Sequence, residues 1–289
     1  MVDKLSTEYS VRRVCDLLKV SFSSFYAWRR QETYILSEKK LKVGEAVKKV
    51  FDAHYRRYGA RRIVAELRDN GVEIGRYQTR SAMKAQNLKA IQPKSFVPKT
   101  TDSKHKLGRS PNLLLDRPSP SRPNEVFVGD ITYIPLRNQE FIYLATFQDM
   151  YSRKIVGWEL LDTLHTKLIM SALQKAIHRR KLPKGLIVHS DGGRQYGAHQ
   201  FKQLLTAHDF LSSMTRKDNH YDNAMAESFF SRFKAELLEK GCFETFEDAY
   251  TEIFEYLEIY YNRKRRHSGI QYDIPERFEE KYWEKFNVE

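Results

Sequence analysis

The sequence predicts an α/β protein in which a mixed β-sheet flanked by helices follows an α-helical amino-terminal region. Three observations support this fold class. Apolar residues recur at helical spacing in the first ninety positions, three β-rich runs follow Pro123, and helices then alternate with short strands. Apolar residues that recur about every 3.6 positions indicate helices, and apolar residues that recur every second position indicate strands.

Positive charge is concentrated in the helical region. Residues 1–120 contain 26 Lys and Arg against 12 Asp and Glu, a balance of +14, whereas residues 121–289 contain 24 against 25, a balance of −1. Such asymmetry favours a polyanionic partner, and nucleic acid before membrane because no amphipathic anchor is evident. A solvated basic surface without a partner is the alternative. No apolar run approaches the ~20 residues of a membrane span.

Cysteine usage and the start of the chain indicate the compartment. Cys15 and Cys242 are the only cysteines, and they match no zinc-site spacing. This favours a reducing compartment and argues against a structural zinc site. The first ten residues lack the apolar core of a secretory signal. We therefore expect a cytoplasmic protein with no membrane association.

The helical region is predicted to contain two helix-turn-helix units. In the first, residues 1–35, an apolar stripe ends before Ser21, a candidate N-cap for a short helix reaching Trp28. In the second, residues 36–95, one helix turns at positions 69–71 and another begins near Arg76. Paired helical hairpins in a basic region favour DNA binding. The first stripe comprises Val11, Val14, Leu17 and Leu18, and the second comprises Ile63, Val64 and Leu67.

The second hairpin carries candidate DNA contacts. Arg76, Arg80 and Lys84 are spaced four residues apart and therefore share one helix face. Such a face suits phosphate or base contacts, although an ordinary solvated face has the same pattern. Periodicity then fades, and residues 96–123 are rich in proline and basic side chains. We interpret them as an extended linker that either tracks a phosphate backbone or acts as a tether.

The remaining chain divides into a catalytic core, residues 124–240, and a helical and basic carboxy-terminal part, residues 241–289. The core begins with three runs that are rich in strand-forming residues and separated by short polar breaks, a pattern that predicts an antiparallel meander. Helices and strands then alternate, and a basic, aromatic tail follows the last expected helix. The runs are EVFVGDITYIPL, EFIYLATFQDM and SRKIVGWELL; the expected helices cover about 167–180, 199–208, 222–240 and 246–262, with strands ending at 191 and following 208.

Three acidic residues lie at positions where their carboxylates could take part in a reaction. Asp130 interrupts an apolar strand, Asp191 ends a second strand and is followed by two glycines, and Glu227 lies among strong helix formers. Asp130 alone could be a satisfied strand acid, Glu227 alone a surface acid, and Asp191 alone part of a turn. If the two strands are neighbours and the helix crosses them, the carboxylates converge.

A carboxylate cluster of this kind needs a counter-charge. Two carboxylates about 4 Å apart repel by roughly 4 kcal/mol at an effective dielectric of 20. Oxygen ligands without Cys or His favour Mg²⁺ over zinc. Two such ions can activate a nucleophile and stabilise a leaving oxygen in phosphoryl transfer. An acidic pocket beside a basic region fits work on a phosphodiester.

The spacing of these residues carries a specific resemblance. Between Asp191 and Glu227 lie 227 − 191 − 1 = 35 residues, and Lys234 follows Glu227 by two helical turns. This resembles the D…D(35)E signature of retroviral integrases and insertion-sequence transposases. The strings HSDGGRQY, YDNAMAESFF and YNRKRRHSGIQYDIPERF resemble the second-frame, OrfB-type transposases of the insertion-sequence-three (IS3) family, and the likeness covers most of the chain.

The resemblance implies a ribonuclease H-like core, with Asp130, Asp191 and Glu227 as catalytic metal ligands and Lys234 as a DNA contact. It implies Mg²⁺ or Mn²⁺, two ions, as cofactor. The activity implied is cleavage and strand transfer of DNA, with terminal inverted repeats and target DNA as partners. It further implies that the protein forms a homo-oligomer on DNA and works at the nucleoid in a bacterial cytoplasm. It also implies a possible fusion partner encoded by an upstream reading frame.

Some details depart from the family pattern or leave alternatives. Gly192 and Arg194 stand where Arg or Gln and Ser are more usual beside the second Asp. We interpret His189 as a buried, hydrogen-bonded histidine rather than a ligand, and we expect the tail tyrosines to pack against the core rather than stack on bases. The alternative functions are a viral-type integrase, which usually has an amino-terminal zinc module, and a non-enzymatic repressor with structural carboxylates. The tyrosines are Tyr260, Tyr261 and Tyr272.

Overall fold

The computed structural model describes residues 1–30, 37–93, 108–216, 220–239 and 241–286. The helices before the sheet are α1 (Val2–Leu5), α2 (Val11–Leu17), α3 (Phe22–Arg29), α4 (Glu38–Ala53), α5 (Ala60–Asp69) and α6 (Arg76–Ala85). The strands are β1 (Val126–Pro135), β2 (Phe141–Asp149), β3 (Ile155–Leu161), β4 (Ile187–Ser190) and β5 (Leu211–Met214). The later helices are α7 (Thr166–Arg179), α8 (Arg194–Gly197), α9 (His199–Ala207), α10 (Ala224–Leu237), α11 (Phe246–Phe254) and α12 (Pro275–Phe286).

The amino-terminal helices form two hairpins, as predicted. Ser21 caps α3 by accepting a hydrogen bond from the backbone N–H of Ser24, at 3.4 Å, which confirms the predicted cap. In the second unit, α5 and α6 pack on α4, a helix that the sequence analysis did not identify. Their shared core buries side chains from all three helices and from the segments that join them: Val47, Phe51, Tyr58, Ile63, Leu67, Ile74 and Met83.

The sheet is mixed, with strand order β3-β2-β1-β4-β5. β1 pairs antiparallel with β2, and β2 with β3, which confirms the predicted meander. β1 and β4 are parallel, as are β4 and β5. The parallel half follows from helical crossovers, because parallel neighbours cannot be joined by a tight turn. The predicted α/β class is therefore confirmed.

Helices cover both faces of the sheet. On one face α7 and α9 bury Leu168, Leu173 and Phe201 against Phe127 and Phe147. On the other face α10 and α11 pack against side chains at alternate positions of the meander. Alternation in β1 therefore assigns Phe127 to the first face and Val128 to the second, where it contacts α10. This second face carries the candidate site.

The end of the expected linker is attached to the sheet. Residues 108–114, here called the strap, lie beside β5. The backbone N–H of Met214 donates to the Pro111 carbonyl oxygen at 3.3 Å, and the hydroxyl of Ser110 donates to that of Ser212 at 2.8 Å. The rest of the linker up to residue 107 lies outside the described residues. The strap is thus part of the core rather than a free tether.

The carboxy-terminal part joins the core to the second hairpin. α11 continues into a π-helical segment, Glu255–Tyr261, and α12 is a further helix that the sequence analysis treated as tail. Arg266 is buried, and its guanidinium donates to Glu66 at 2.5 Å and Asp69 at 2.7 Å, both on α5. Tyr260 and Tyr261 are buried as expected, whereas Tyr272 is half-buried. Across the described ranges, no helix is both long and apolar enough to cross a membrane.

Candidate active site where β1 meets β4

The parallel pairing of β1 and β4 brings the two strand acids together. The register pairs Val128 with His189 and Gly129 with Ser190. The next positions along the two strands are Asp130 and Asp191, at the carboxyl edge of β4. Ligands commonly bind at this edge in α/β sheets. The expected proximity of the two acids thus follows directly from the sheet topology.

Backbone amides orient both carboxylates. Oδ1 of Asp130 accepts from the N–H of Ile131 at 2.8 Å, and Oδ1 of Asp191 accepts from the N–H of Gly193 at 3.0 Å. Burial raises the pKa of Asp130 well above its ordinary range, and the neighbouring charge of Asp191 raises it further. Like charges held this closely favour proton or cation binding. The pair is therefore a site of concentrated negative charge that favours the binding of a cation.

Glu227 approaches the pair from α10. In the first turn of that helix, Ala226 packs on Val128, which shares a strand face with Asp130. The charge of Glu227 also raises the pKa of Asp130, as a smaller cause than Asp191. The Glu227 side chain is exposed. Within the described residues, no three His, Cys, Asp or Glu side chains are grouped closely enough to hold a metal ion, so Glu227 does not close a ligand set with the strand acids.

Lys234 lies on the same helix, two turns after Glu227. It is half-buried, and its Nζ is 4.4 Å from the centroid of the Tyr133 ring on β1. Burial lowers the pKa of Lys234, whereas the charge of Asp130 opposes this change. Its ammonium is therefore directed towards the β1 side of the site, within electrostatic range of the acids.

His189 links the strands behind the acids. It is fully buried, with Nδ1 2.9 Å from the Ser213 hydroxyl oxygen on β5 and Nε2 3.1 Å from the Asp222 carbonyl oxygen before α10. Burial lowers its pKa. These contacts confirm the interpretation of His189 as a hydrogen-bonded core residue. They connect β4 and β5 to the start of the helix that carries Glu227.

Sequence reasoning missed Tyr196, which also belongs to the site. Its side chain is 1% exposed, and within the described residues its hydroxyl has no hydrogen-bond partner. Burial raises its pKa well above the ordinary range, and the charges of Asp130 and Asp191 raise it further. The phenol therefore lies close to the carboxylate pair. The sequence shows only that an aromatic residue follows Asp191 by five positions. The direction of its side chain depends on the short helix α8, which the sequence did not predict.

Arg109 of the strap is a second missed residue. Its Nη2 donates to the Thr215 carbonyl oxygen at 2.9 Å. Its guanidinium occupies the space that a Cβ atom would need at Gly192. Gly192 and Gly193 are not among the glycines with positive φ, which are Gly71, Gly185 and Gly241. The glycine after Asp191 is thus explained by the close approach of a cation rather than by a strained turn.

The basic stripe of α6 lies in the second hairpin, apart from the carboxylates along the chain. Arg76, Arg80 and Lys84 are all exposed, while Thr79 and Met83, which precede Arg80 and Lys84 in the sequence, are buried. The predicted shared face is therefore present and open to solvent. It is available to contact a long polyanion.

Comparison with known proteins gives consistent matches along the chain. Residues 120–220 match a family described as integrase core domain, residues 209–275 match a second family of the same description, and residues 38–96 match an HTH-like domain. The transposase InsF of insertion sequence IS3A from Escherichia coli K12 is 35% identical over 97% of each chain. The transposase of element IS904 from Lactococcus lactis is 39% identical, covering 86% of this chain and 94% of its own. A 31 kDa protein of insertion element IS600 from Shigella sonnei is 36% identical, covering 93% and 98%.

Proposed function

Because the chain belongs to the insertion-sequence transposases of the IS3 family, we propose that it cuts and transfers the DNA ends of its own element at Asp130, Asp191 and Glu227. It is a DNA transposase with an HTH-like region and a ribonuclease H-like integrase core. The observation that carries the site assignment is the β1–β4 register, which makes Asp130 and Asp191 neighbours. Matches across both regions disfavour a repressor without catalytic function.

The chemistry of the two strand acids fits a divalent cation, while among the described residues Glu227 is not grouped with them into a complete ligand set. The integrase core family depends on divalent metal, and oxygen ligands suit a hard ion. The pair at the strand edge consists of carboxylates only, and burial, together with the charge of Asp191, raises the pKa of Asp130. Asp130 and Asp191 would supply fixed ligands, and the exposed Glu227 side chain would supply the third. Mg²⁺ or Mn²⁺, as two ions, is the proposed cofactor.

The protein's own part in the reaction is mostly positioning. When bound, two divalent ions supply activation of the attacking oxygen and stabilisation of the leaving oxygen. Backbone N–H groups of Ile131 and Gly193 hold the strand carboxylates in orientation. The ammonium of Lys234 attracts a phosphate of the reacting strand, for which a point charge suffices. His189 fixes the strands relative to the helix that brings Glu227.

DNA is held mainly outside the core in this proposal. The exposed basic stripe of α6 binds the terminal inverted repeats, and the excess charge of residues 1–120 adds sequence-independent affinity. The DNA end that is cut, and the target DNA that receives it, meet at the carboxylate site. We further propose that several copies of the chain assemble on DNA, that an upstream-frame product joins as fusion partner, and that the complex works at the nucleoid in the cytoplasm.

The experiment is a cleavage assay on duplex carrying the element's terminal repeats. The full chain is incubated with Mg²⁺, Mn²⁺ or excess EDTA, with and without the upstream-frame product. Asp130→Asn, Asp191→Asn and Glu227→Gln should each abolish cleavage while binding persists. The control is Glu252→Gln, which neutralises an exposed acid on α11 that makes no ion pair among the described residues. Cleavage in EDTA, or by any of the three variants, would contradict the assignment.

A further inference from the structure

The strap places a cation beside the carboxylate site from a distant part of the sequence. Arg109 and Asp191 are more than eighty residues apart, yet the Arg109 guanidinium lies against Gly192, directly after Asp191. Several hydrogen bonds fix this arrangement. Besides the Ser110 and Pro111 contacts, Nδ2 of Asn112 donates to Asp222 at 2.9 Å, and the N–H of Leu113 donates to Ser213 at 2.9 Å. The strap therefore delivers Arg109 to a defined position.

Only part of the guanidinium is used for this placement. Nη2 donates to the Thr215 carbonyl oxygen at 2.9 Å. In the part of the chain that the structure describes, Nε and Nη1 of Arg109 make no hydrogen bond or ion pair. A guanidinium presents five N–H donors in a planar fork, so one engaged nitrogen leaves further donors for a ligand. Arg109 is half-buried, which leaves these donors accessible to a ligand at the site.

We propose that Arg109 is a DNA-positioning residue that binds a phosphate of the strand entering the carboxylate site. This inference rests on the proposed function, because it takes the ligand to be a DNA strand. An arginine fork matches the oxygens of a phosphate, and a hydrogen bond to a charged group is stronger than a neutral one. The acids repel a phosphate, and Arg109 supplies attraction at their edge.

Gly192 is the matching half of this arrangement. A glycine at this position has no Cβ atom, and the Arg109 guanidinium fills the space that a Cβ would need. Any Cβ at position 192 would collide with the guanidinium. The two residues should therefore behave as one unit, and loss of either should have the same effect.

A double-mutant cycle tests this coupling. The variants are Arg109→Ala, Gly192→Ala and the two combined, in the full chain, with terminal-repeat duplex as the probe. Each single change should lower kcat/KM for cleavage roughly tenfold to a hundredfold, the size expected for one charge-assisted hydrogen bond. Gly192→Ala should add nothing in the Arg109→Ala background, since coupled residues are non-additive. Arg109→Ala combined with Gly192→Arg should regain most of the activity.

Binding measurements separate a phosphate contact from a structural role. Arg109→Ala should reduce the slope of log K against log salt by about 0.9, the value for one phosphate. Arg109→Lys should keep most of that slope but lose cleavage, because it keeps the charge without the fork. The control is Arg122→Ala, which removes one exposed charge at the end of the expected linker. Melting temperatures identify any variant that has lost its fold.

The results distinguish this inference from the proposed function. If the wild-type chain cuts terminal DNA with divalent metal but Arg109→Ala matches Arg122→Ala in cleavage and salt slope, only the Arg109 assignment is overturned. Losses that multiply in the Arg109→Ala/Gly192→Ala variant would overturn it as well. If the wild-type chain shows no EDTA-sensitive cleavage, the proposed function fails, and the salt slopes of binding still decide whether Arg109 contacts a phosphate.

Discussion

A buried ion pair anchors the end of the helix that carries Glu227 and Lys234. The Glu236 carboxylate accepts from Arg265 Nε at 3.0 Å, Arg265 Nη2 at 2.6 Å and the Tyr256 hydroxyl at 2.8 Å. The two charged side chains are only 2% and 3% exposed. Burial alone would raise the pKa of Glu236, but the charge and hydrogen bonds of Arg265, with that of Tyr256, lower it.

Glu236→Gln should strongly destabilise the core. The substitution keeps the size of the side chain but leaves the Arg265 guanidinium buried without a counter-charge. Removing one partner of a buried pair costs about 3–5 kcal/mol. At roughly 2–4 °C per kcal/mol for a large domain, the melting temperature should fall by about 6–20 °C. Replacing both partners, as Glu236→Leu/Arg265→Met, should recover most of the loss because no buried charge remains.

Thermal unfolding followed by tryptophan fluorescence measures this, because Trp158 of β3 is buried in the folded core. Asp52→Asn serves as the control, because it removes the exposed pair with Lys48 at 2.6 Å on α4. An exposed helix pair of this kind contributes only about 0.3–0.5 kcal/mol. The reasoning is refuted if Glu236→Gln is no more destabilising than Asp52→Asn, or if the double variant is less stable than Glu236→Gln.

Three further predictions concern DNA contacts and pH. Lys234→Ala should reduce strand transfer with little change in melting temperature, and Lys234→Arg should retain part of the strand-transfer activity. Wild-type strand transfer by the Ala variant would show that Lys234 has no role in the reaction. Each alanine in the basic stripe of α6 should lower the salt slope of binding by about 0.9, and an unchanged slope would remove that residue from the interface. Burial lowers the pKa of His54 to about 4, against the opposing charge of Glu66, so the unfolded chain binds the proton more readily than the folded one. The contribution of His54 to the free energy of unfolding should be fully present above pH 6.5 and should fall towards pH 4 by at most about 3 kcal/mol. Urea unfolding at both pH values should show a smaller fall in His54→Gln than in the wild-type chain. An equal fall in the two chains would contradict the assignment.

Local sequence was sufficient for most elements and for selecting the three candidate acids. Alternating apolar residues and a following turn predict β1 and β4 without tertiary information, because side chains of a strand alternate between two faces. The N-cap at Ser21 depends on the next three residues only. The acids were recognisable because a carboxylate inside an apolar strand is costly without a partner. Helix α10 was expected from residue 222, but a 3-10 turn, His220–Asn223, precedes its start at Ala224.

The amino-acid sequence by itself determined most of the helices and strands, although not α4 and α12, as well as where the acids lie along the chain and which part carries the excess charge. Only the tertiary structure decided that Arg265 and Arg266 of the basic tail are buried in ion pairs, and that the strap brings Arg109 to Gly192. It also placed Glu227 beside the strand acids without closing a ligand set in the described residues. The physical reason is that periodicity reports which side of its own element a residue faces. The partner that covers that side is set by packing between segments far apart in the chain, where a basic residue can equally meet DNA or a buried carboxylate.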